Sequence, residues 1–506
     1  MATETELKLY IAPEDAEKFM QHPLLQQANS RQAPQQLYNT YFDTPEHTLL
    51  QHGVGLRVRQ IGKKRIQTLK TADEGLGGLH QRQEWENEIS GDKPNYNQFP
   101  KKALPKWCAD KKNLQKIKPL FTTDFSRTIW DLILDDGTQI EVALDKGEIK
   151  TETHSCSLSE VELELKSGSP DKLYQVALTL QNDLPLIIEN KSKAARGYAL
   201  HQFNPPEFHK AGTVKLTANM TTEQAFFHIV WHCLGHLQAN EDVVLYGENI
   251  EGVHQMRVAL RRLRSCLTLY QSLIPKETTK QFRQEVKWIT DVLGVARDWD
   301  VFALTLQDIQ SQDNYSQLID LQAQVADFQK NAYVEVRDAL RSPRYSRLLL
   351  LLGRWLTQRR WRKKLNAVAL KKLETPIKNF ASQVLDSHYQ SVKTQGENFV
   401  SLNPEQLHQL RISIKKLGYG VRFFIELYPE PLIRPYSKKL SHLQDELGIL
   451  NDSNVATELL NKVGLDDHAS TRHFLNGWYV HQRMTQFALM ESVWESFSKQ
   501  NIFWSH

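Results

Sequence analysis

The sequence predicts an α+β multidomain protein: an antiparallel sheet or barrel at the N-terminal end, then an all-α half built from two copies of one helical unit. Three observations carry this. Apolar residues recur with period two up to about Ala199 and with helical spacing after Pro205-Pro206. Turn signals such as Asp135-Asp136-Gly137 separate some of the alternating runs, which favours antiparallel pairing. A pair of motifs in the second half recurs at a constant offset of 154 residues.

The elements follow in order. Alternating runs lie at 3–11, 55–61, 65–71, 80–89, 126–134, 138–145 and 160–166, with helical stretches near 13–28 and 170–183. Asn204 to Thr221, with its proline pair and few apolar residues, reads as a linker. Beyond it the spacing stays helical to the end.

Composition narrows the function classes. At 506 residues the chain exceeds one ordinary core, and its 40% apolar and 24% charged residues are those of a soluble globular protein. The longest purely apolar run, Leu348 to Leu352, is far short of a membrane span, and no secretory signal is visible at the acidic start. Four scattered cysteines without a CxxC pair read as free thiols in a reducing, cytoplasmic setting. A net charge of +4 does not mark a nucleic-acid binder, so an anion site must come from local clustering.

Such clustering is visible on the strand faces. Alternate side chains of a strand share a face. Glu4, Glu6, Lys8 and Tyr10 therefore lie together, opposite Leu7, Leu9 and Ile11. Arg57 and Arg59 share a face, as do Arg82, Glu84, Glu86 and Glu88; Glu141 and Asp145; and Glu160, Glu162, Glu164 and Lys166. A solvent-facing sheet with cross-strand ion pairs explains any one of these, each pair contributing about 0.2–1 kcal/mol. It does not explain glutamates stacked along one strand, where like charges repel. A closed sheet with its polar faces inward does: carboxylates gather a hard cation such as Mg²⁺ or Mn²⁺, and the bases grip a polyanion on that metal.

These residues resemble the CYTH domain of the triphosphate tunnel metalloenzyme family, which includes class IV adenylate cyclases and thiamine triphosphatases. The resemblance rests on Glu4-x-Glu6-x-Lys8, on Gly55 to Arg59, on Glu160-x-Glu162-x-Glu164 and on Lys193-Ala194-Ala195-Arg196-Gly197-Tyr198. It covers residues 1–203 and implies a barrel of about eight strands around a triphosphate tunnel. By resemblance Glu4, Glu6, Glu162 and Glu164 hold the metal, with Glu160 and Asp145 as additions. Lys8, Arg57, Arg59, Lys70, Arg127, Lys193 and Arg196 hold phosphates. Glu84 lies on a lining strand, and Tyr198 is a packing or flanking residue. Glu6, Lys8 and Asp145 are the residues placed in catalysis, Glu6 or Asp145 as the group that activates water.

In the second half, His254, Arg257 and Arg261-Arg262 recur as His408, Arg411 and Lys415-Lys416, and Leu293-Gly294 with Arg297-Asp298 recurs as Leu447-Gly448 with Asn451-Asp452, all 154 residues on. At ~100° per residue, His254, Arg257, Arg261 and Arg264 fall on one helix side, and His408, Arg411, Lys415 and Arg422 on one side of the other. An ordinary solvated basic face explains one such helix; repetition argues for an anion site, with Asp298 and Asp452 as internal counter-charges. Arg354 to Lys364 is a further basic stretch facing the same way. The motifs resemble the CHAD domain, an all-helical module often fused to CYTH domains. Over residues 218–500 this implies two related four-helix bundles with a basic groove for inorganic polyphosphate. Lysines at 415 and 416 keep charge but lose the bidentate grip of arginine, and the histidines strengthen anion binding at lower pH.

Together the two resemblances imply a Mg²⁺-dependent inorganic triphosphatase cleaving tripolyphosphate, bound to long-chain polyphosphate and associated with its granules, without membrane or nucleic-acid partners. The alternatives are a polyphosphate-binding or targeting protein with incidental catalysis, an adenylate cyclase, and a thiamine triphosphatase.

Overall fold

A computed structural model describes residues 2–71, 78–313, 318–463 and 469–505. It divides into two compact units: residues 1–205 with 341–359, and residues 206–340 with 360–506.

The first unit is built on ten strands: β1 Ala2–Tyr10, β2 Ser30–Arg31, β3 Gln35–Asp43, β4 Val54–Ile61, β5 Lys64–Thr71, β6 Leu79–Ile89, β7 Lys118–Ile133, β8 Gln139–Lys150, β9 Ser155–Ser167 and β10 Ile187–Ile188. Eight of them run in the order β1-β6-β5-β4-β3-β7-β8-β9, every neighbour antiparallel, and β9 pairs again with β1 to close a barrel. The two short strands extend the pairing at strand ends, β2 on β7 beyond the reach of β3 and β10 on β1 beyond that of β6.

The barrel is polar inside and apolar outside. Leu7, Leu9, Val161 and Leu163 point away from the interior yet are fully buried. Helices lie over them: Asp171–Leu180 contributes Leu173, Tyr174, Ala177 and Leu180, and the segment before β2 packs Phe19 edge-on against Trp130 with ring centroids 5.8 Å apart. Each fully buried leucine, valine or phenylalanine among them stabilises the unit by about 1.5–3 kcal/mol. That outer burial leaves the interior available for charge.

A further cover helix comes from far along the chain. Pro343–Gln358 lies on Asp171–Leu180, where a Cβ at Gly353 would sit 2.4 Å from the Tyr174 ring. Gln358 donates to Asp171 at 2.7 Å, Gln181 to the Pro343 carbonyl at 3.0 Å, and the Ile188 amide to Ser346 Oγ at 3.0 Å. The apolar run Leu348 to Leu352 is thus explained as burial within this unit. Residues 341–359 depart from the continuous helical domain expected over 218–500. The basic stretch Arg354 to Lys364 is split accordingly: Arg354 belongs to the first unit, whereas Arg362, in the second, pairs with Glu223 at 2.6 Å and Glu374 at 2.9 Å.

Other departures have local causes. Strand β3 escaped the alternation test because polar and apolar residues share its faces: Asn39 is fully buried, bonded to Thr123 and to Arg59. Strand β7 begins earlier than residue 126 because a buried Thr123 hides the pattern. The expected helix over 13–28 breaks at His22, which is extended before Pro23 (ψ 135°) as residues before proline tend to be.

The second unit is helical and twofold in design. Thr222–Gln238, Glu251–Leu269, Lys276–Asp313 and Leu318–Leu340 correspond to Ile377–Gln395, Pro404–Phe424, Glu430–Val463 and Ala469–Ser498. The copies meet through reciprocal backbone bonds: Thr222 N–H to the Thr375 carbonyl and Ile377 N–H to the Met220 carbonyl, each 2.9 Å. Residues 204–217 form no helix or strand but are anchored to this unit, with Val214 and Leu216 buried and His209 N–H bonded to Asn240 at 2.9 Å.

Candidate functional site

The barrel encloses a cavity of about 620 Å³, lined among others by Glu4, Glu6, Lys8, Tyr41, Arg57, Arg59, Lys70, Arg82, Glu84, Arg127, Glu141, Glu162, Glu164 and Lys193. Strand register brings them together. On β1 and β9, Glu6 lies opposite Glu164 and Lys8 opposite Glu162; Glu141 on β8 is the other neighbour of Glu164. Arg57 lies opposite Tyr41 and Lys70 opposite Glu84.

Some of these charges satisfy one another. Lys70 bonds Glu4 at 2.8 Å and Glu84 at 3.1 Å, and Lys8 bonds Glu6 at 2.6 Å. Arg82 also pairs with Glu6 and lies 3.4 Å from Glu4. Burial opposes ionisation of Glu6, but the Lys8 ammonium, with Arg82 and Lys70, holds its carboxyl well below the usual range. Two other groups are left in need. Burial raises Glu164, and Glu4 and Glu141 beside it push it further up against the pull of Lys166. Arg59 is lowered to about 10 by burial and by the neighbouring Arg57 and Arg127 guanidiniums. Glu164 and Arg59 are thus the acid and the base of the cavity whose charge its surroundings disfavour.

Lining residue Glu162 joins Asp145 and Glu160 behind it in a second acidic group, with carboxylate oxygens within 4.8 Å of one another. Such a trio can hold a metal, but here an ammonium already occupies it. Lys193 Nζ is 2.6 Å from Asp145 and 3.0 Å from Glu162, and it also bonds Glu160. Arg127 makes two bonds to Asp145, at 2.7 and 2.6 Å, and pairs with Glu162; Arg196 pairs with Glu160. Asp145 and Glu160 are fully buried. Glu4, Glu6, Glu141 and Glu164 also face the cavity and offer hard oxygen donors of the kind a divalent cation takes.

The helix Lys193–His201 positions the basic end of this network. Ser192 caps it by accepting from Ala195 N–H at 3.1 Å. It packs so closely on β7 that a Cβ at Gly197 would sit 2.0 Å from the Phe121 ring. Tyr198 bonds Asp43 at 3.0 Å and packs on Phe121, so it anchors the helix and also edges the cavity.

Of the residues expected here, Glu4, Glu6, Lys8, Arg57, Arg59, Lys70, Arg127, Glu162, Glu164 and Lys193 line the one cavity, whereas Asp145 and Arg196 stand behind it. Sequence reading had not assigned roles to Arg82, Glu141 and Tyr41. The first two were signalled by their shared strand faces; Tyr41 was hidden with β3.

The helical unit contains its own cavity, about 340 Å³, lined by His254, Arg257, Arg261, Arg297 and Asp298 of the first copy and Arg411, Lys415, Gly448 and Asp452 of the second, among others. The expected Arg264, His408 and Arg422 lie outside it, exposed. The helical wheel is too coarse to separate a buried strip from the flanks beside it. The Asn451 side chain lies outside the described residues. Burial and the nearby Arg297, Arg261 and Arg257 hold His254 down at about 4, so any charge it adds comes only well below neutrality. Lys415 is lowered to about 7 by burial and by Arg411, Arg261 and Arg257, with Asp452 opposing.

Comparison with known proteins finds a match in each half of the chain. The CYTH domain family matches residues 2–198 and the CHAD domain family residues 228–461. The chain joins a CYTH domain to a CHAD domain. It is 34% identical over 209 residues to an inorganic triphosphatase of Haemophilus influenzae; the match takes in 40% of this chain and 55% of that relative, so the chain spans just over half of the curated relative's length. It is also similar to the CHAD domain of the plant Ricinus communis, at 28% identity and a TM-score of 0.51, over 58% of this chain and 97% of that one. Among the described residues no helix is long and apolar enough to cross a membrane.

Proposed function

We propose that this CYTH–CHAD protein hydrolyses inorganic tripolyphosphate to pyrophosphate and phosphate with Mg²⁺, and that its CHAD domain binds long-chain polyphosphate. One observation carries the first part: a single cavity is lined by both acids and bases, among them Glu164, raised by burial and then by Glu4 and Glu141, and Arg59, lowered by burial and then by Arg57 and Arg127. A metal–polyphosphate complex supplies a counter-charge to each at once.

Arg57, Arg59, Arg127, Lys8 and Lys70 bind the triphosphate oxygens and hold the chain in line for attack by water. Water attacks the terminal phosphorus as its bond to the bridging oxygen breaks, and pyrophosphate leaves with its charge spread over the guanidiniums. Glu4, Glu6, Glu141, Glu162 and Glu164 would hold Mg²⁺, which when bound neutralises phosphate charge and polarises the reacting oxygens. Glu6, kept ionised on the cavity wall, is positioned to orient the attacking water. Asp145 serves catalysis at one remove, by fixing Arg127 and Lys193.

The cavity of Arg257, Arg261, Arg297, Arg411 and Lys415 supports the second part, since these five basic residues line it with two acids, Asp298 and Asp452. Four free cysteines fit a cytoplasmic site of action beside polyphosphate stores.

The test is phosphate release from tripolyphosphate, ATP and thiamine triphosphate, each with Mg²⁺. Tripolyphosphate should turn over fastest. Faster turnover of either organic triphosphate, or cyclic AMP from ATP, would overturn the assignment. For the helical domain, Arg257→Ala with Arg411→Ala should weaken polyphosphate binding and flatten its salt dependence, with tripolyphosphate hydrolysis kept.

A further inference from the structure

The duplicated cavity is not symmetric, and the difference centres on a pair of glycines. Glycine inside a helix is disfavoured relative to almost any other residue and calls for a reason. At Gly294 the reason is visible. A Cβ there would meet Arg257 Nη1 at 2.6 Å, and this guanidinium donates to the Thr290 carbonyl at 3.0 Å. The first copy thus fills its own glycine notch with its own arginine.

The second copy does not. Gln444 stands where the repeat has Thr290, and its amide turns away to the Ile414 carbonyl at 3.1 Å. Gly448, the counterpart of Gly294, lies in the helix Glu430–Val463, and a Cβ there would meet nothing within 4 Å among the described residues. Gly448 lines the cationic cavity. Two donors in that cavity, Arg261 Nε and Arg411 Nε, are buried without a hydrogen-bond partner among the described residues. Among the described residues no packing neighbour explains this glycine, and the unmet donors lining the same cavity want an oxyanion.

We infer that Gly448 is a ligand-contact position: its missing side chain lets an unbranched polyphosphate chain lie against the helix on the second-copy side of the cavity, between Arg411 and Arg261. The inference rests on the polyphosphate reading above and adds a side and a contact point to it. It makes Gly448 a determinant of fit, where the arginines supply attraction.

The test uses the full chain and long-chain polyphosphate, with affinity measured for wild type, Gly448→Leu, Gly448→Ala and Gly477→Leu. Gly477 is also open, but it is exposed on the last helix and does not line this cavity. Gly448→Leu should weaken binding by about tenfold or more, with a melting temperature at or above that of wild type, because leucine favours a helix interior. Gly477→Leu should bind as wild type does. Should Gly448→Leu fail to fold, Gly448→Ala decides: a weakening of about threefold supports the inference, and unchanged affinity overturns it. A folded Gly448→Leu that binds like wild type also overturns it, with the polyphosphate reading intact. Wild-type protein that does not bind polyphosphate overturns both.

Discussion

The Lys193 ammonium stands 2.6 Å from the fully buried carboxylate of Asp145. It serves Glu160 and Glu162 as well, so one lysine is shared by three acids, each of which also pairs with Arg127 or Arg196. Lys193→Met should leave that trio without its shared cation. Breaking a buried pair in this way costs about 3–5 kcal/mol, so the melting temperature should fall sharply and turnover with it. Unchanged melting would show that the trio is neutralised by other means.

Gly197→Ala tests how the helix Lys193–His201 is seated. The added methyl would run into Phe121, and overpacking of this kind costs about 1–3 kcal/mol. Lys193 and Arg196 share that helix, so kcat for tripolyphosphate should drop along with thermal stability. Retention of both would mean that the helix can shift without consequence.

Glu4→Gln separates metal binding from folding. Glutamine keeps a hydrogen-bond acceptor toward Lys70 while removing a charge that pushes Glu164 up. Turnover should fall by about 10²–10³-fold and recover in part at high Mg²⁺, with melting unchanged. Full activity at ordinary Mg²⁺ would remove Glu4 from the metal set.

The helical cavity should respond to pH through Lys415. Burial and neighbouring arginines disfavour its ammonium form, bringing it to about 7. A polyanion binds the ammonium and not the neutral amine, so binding takes up a proton. Affinity for polyphosphate should therefore rise as pH falls through about 7 and weaken above it. His254, at about 4, is neutral throughout that window. Lys415→Arg, charged at every pH used, should flatten the profile; a profile unchanged by that substitution would place the titrating group elsewhere.

The inward charges of β1, β4, β6 and β9 could be read directly from the chain, because a strand displays every second residue on one face. Which acids remain for a metal could not. That depends on Lys193, which comes from a helix beyond the last barrel strand and enters the Asp145 trio only in three dimensions. In the helical half, periodicity identified the basic side but not its depth, and so grouped exposed Arg264, His408 and Arg422 with the cavity residues. Nor does helical spacing name the surface a helix will cover, which is why the destination of Pro343–Gln358 was invisible.

That helix also governs how the protein can be dissected. The chain leaves the barrel unit near Pro205, builds half of the helical one, returns for residues 341–359, and departs again. Scission at the linker would thus strip the N-terminal fragment of a lid over Tyr174 and leave Leu348 to Leu352 stranded in the other piece. Two domains joined end to end can be parted with one cut; these are laced, and each must be completed by chain that the ribosome makes before or after the other.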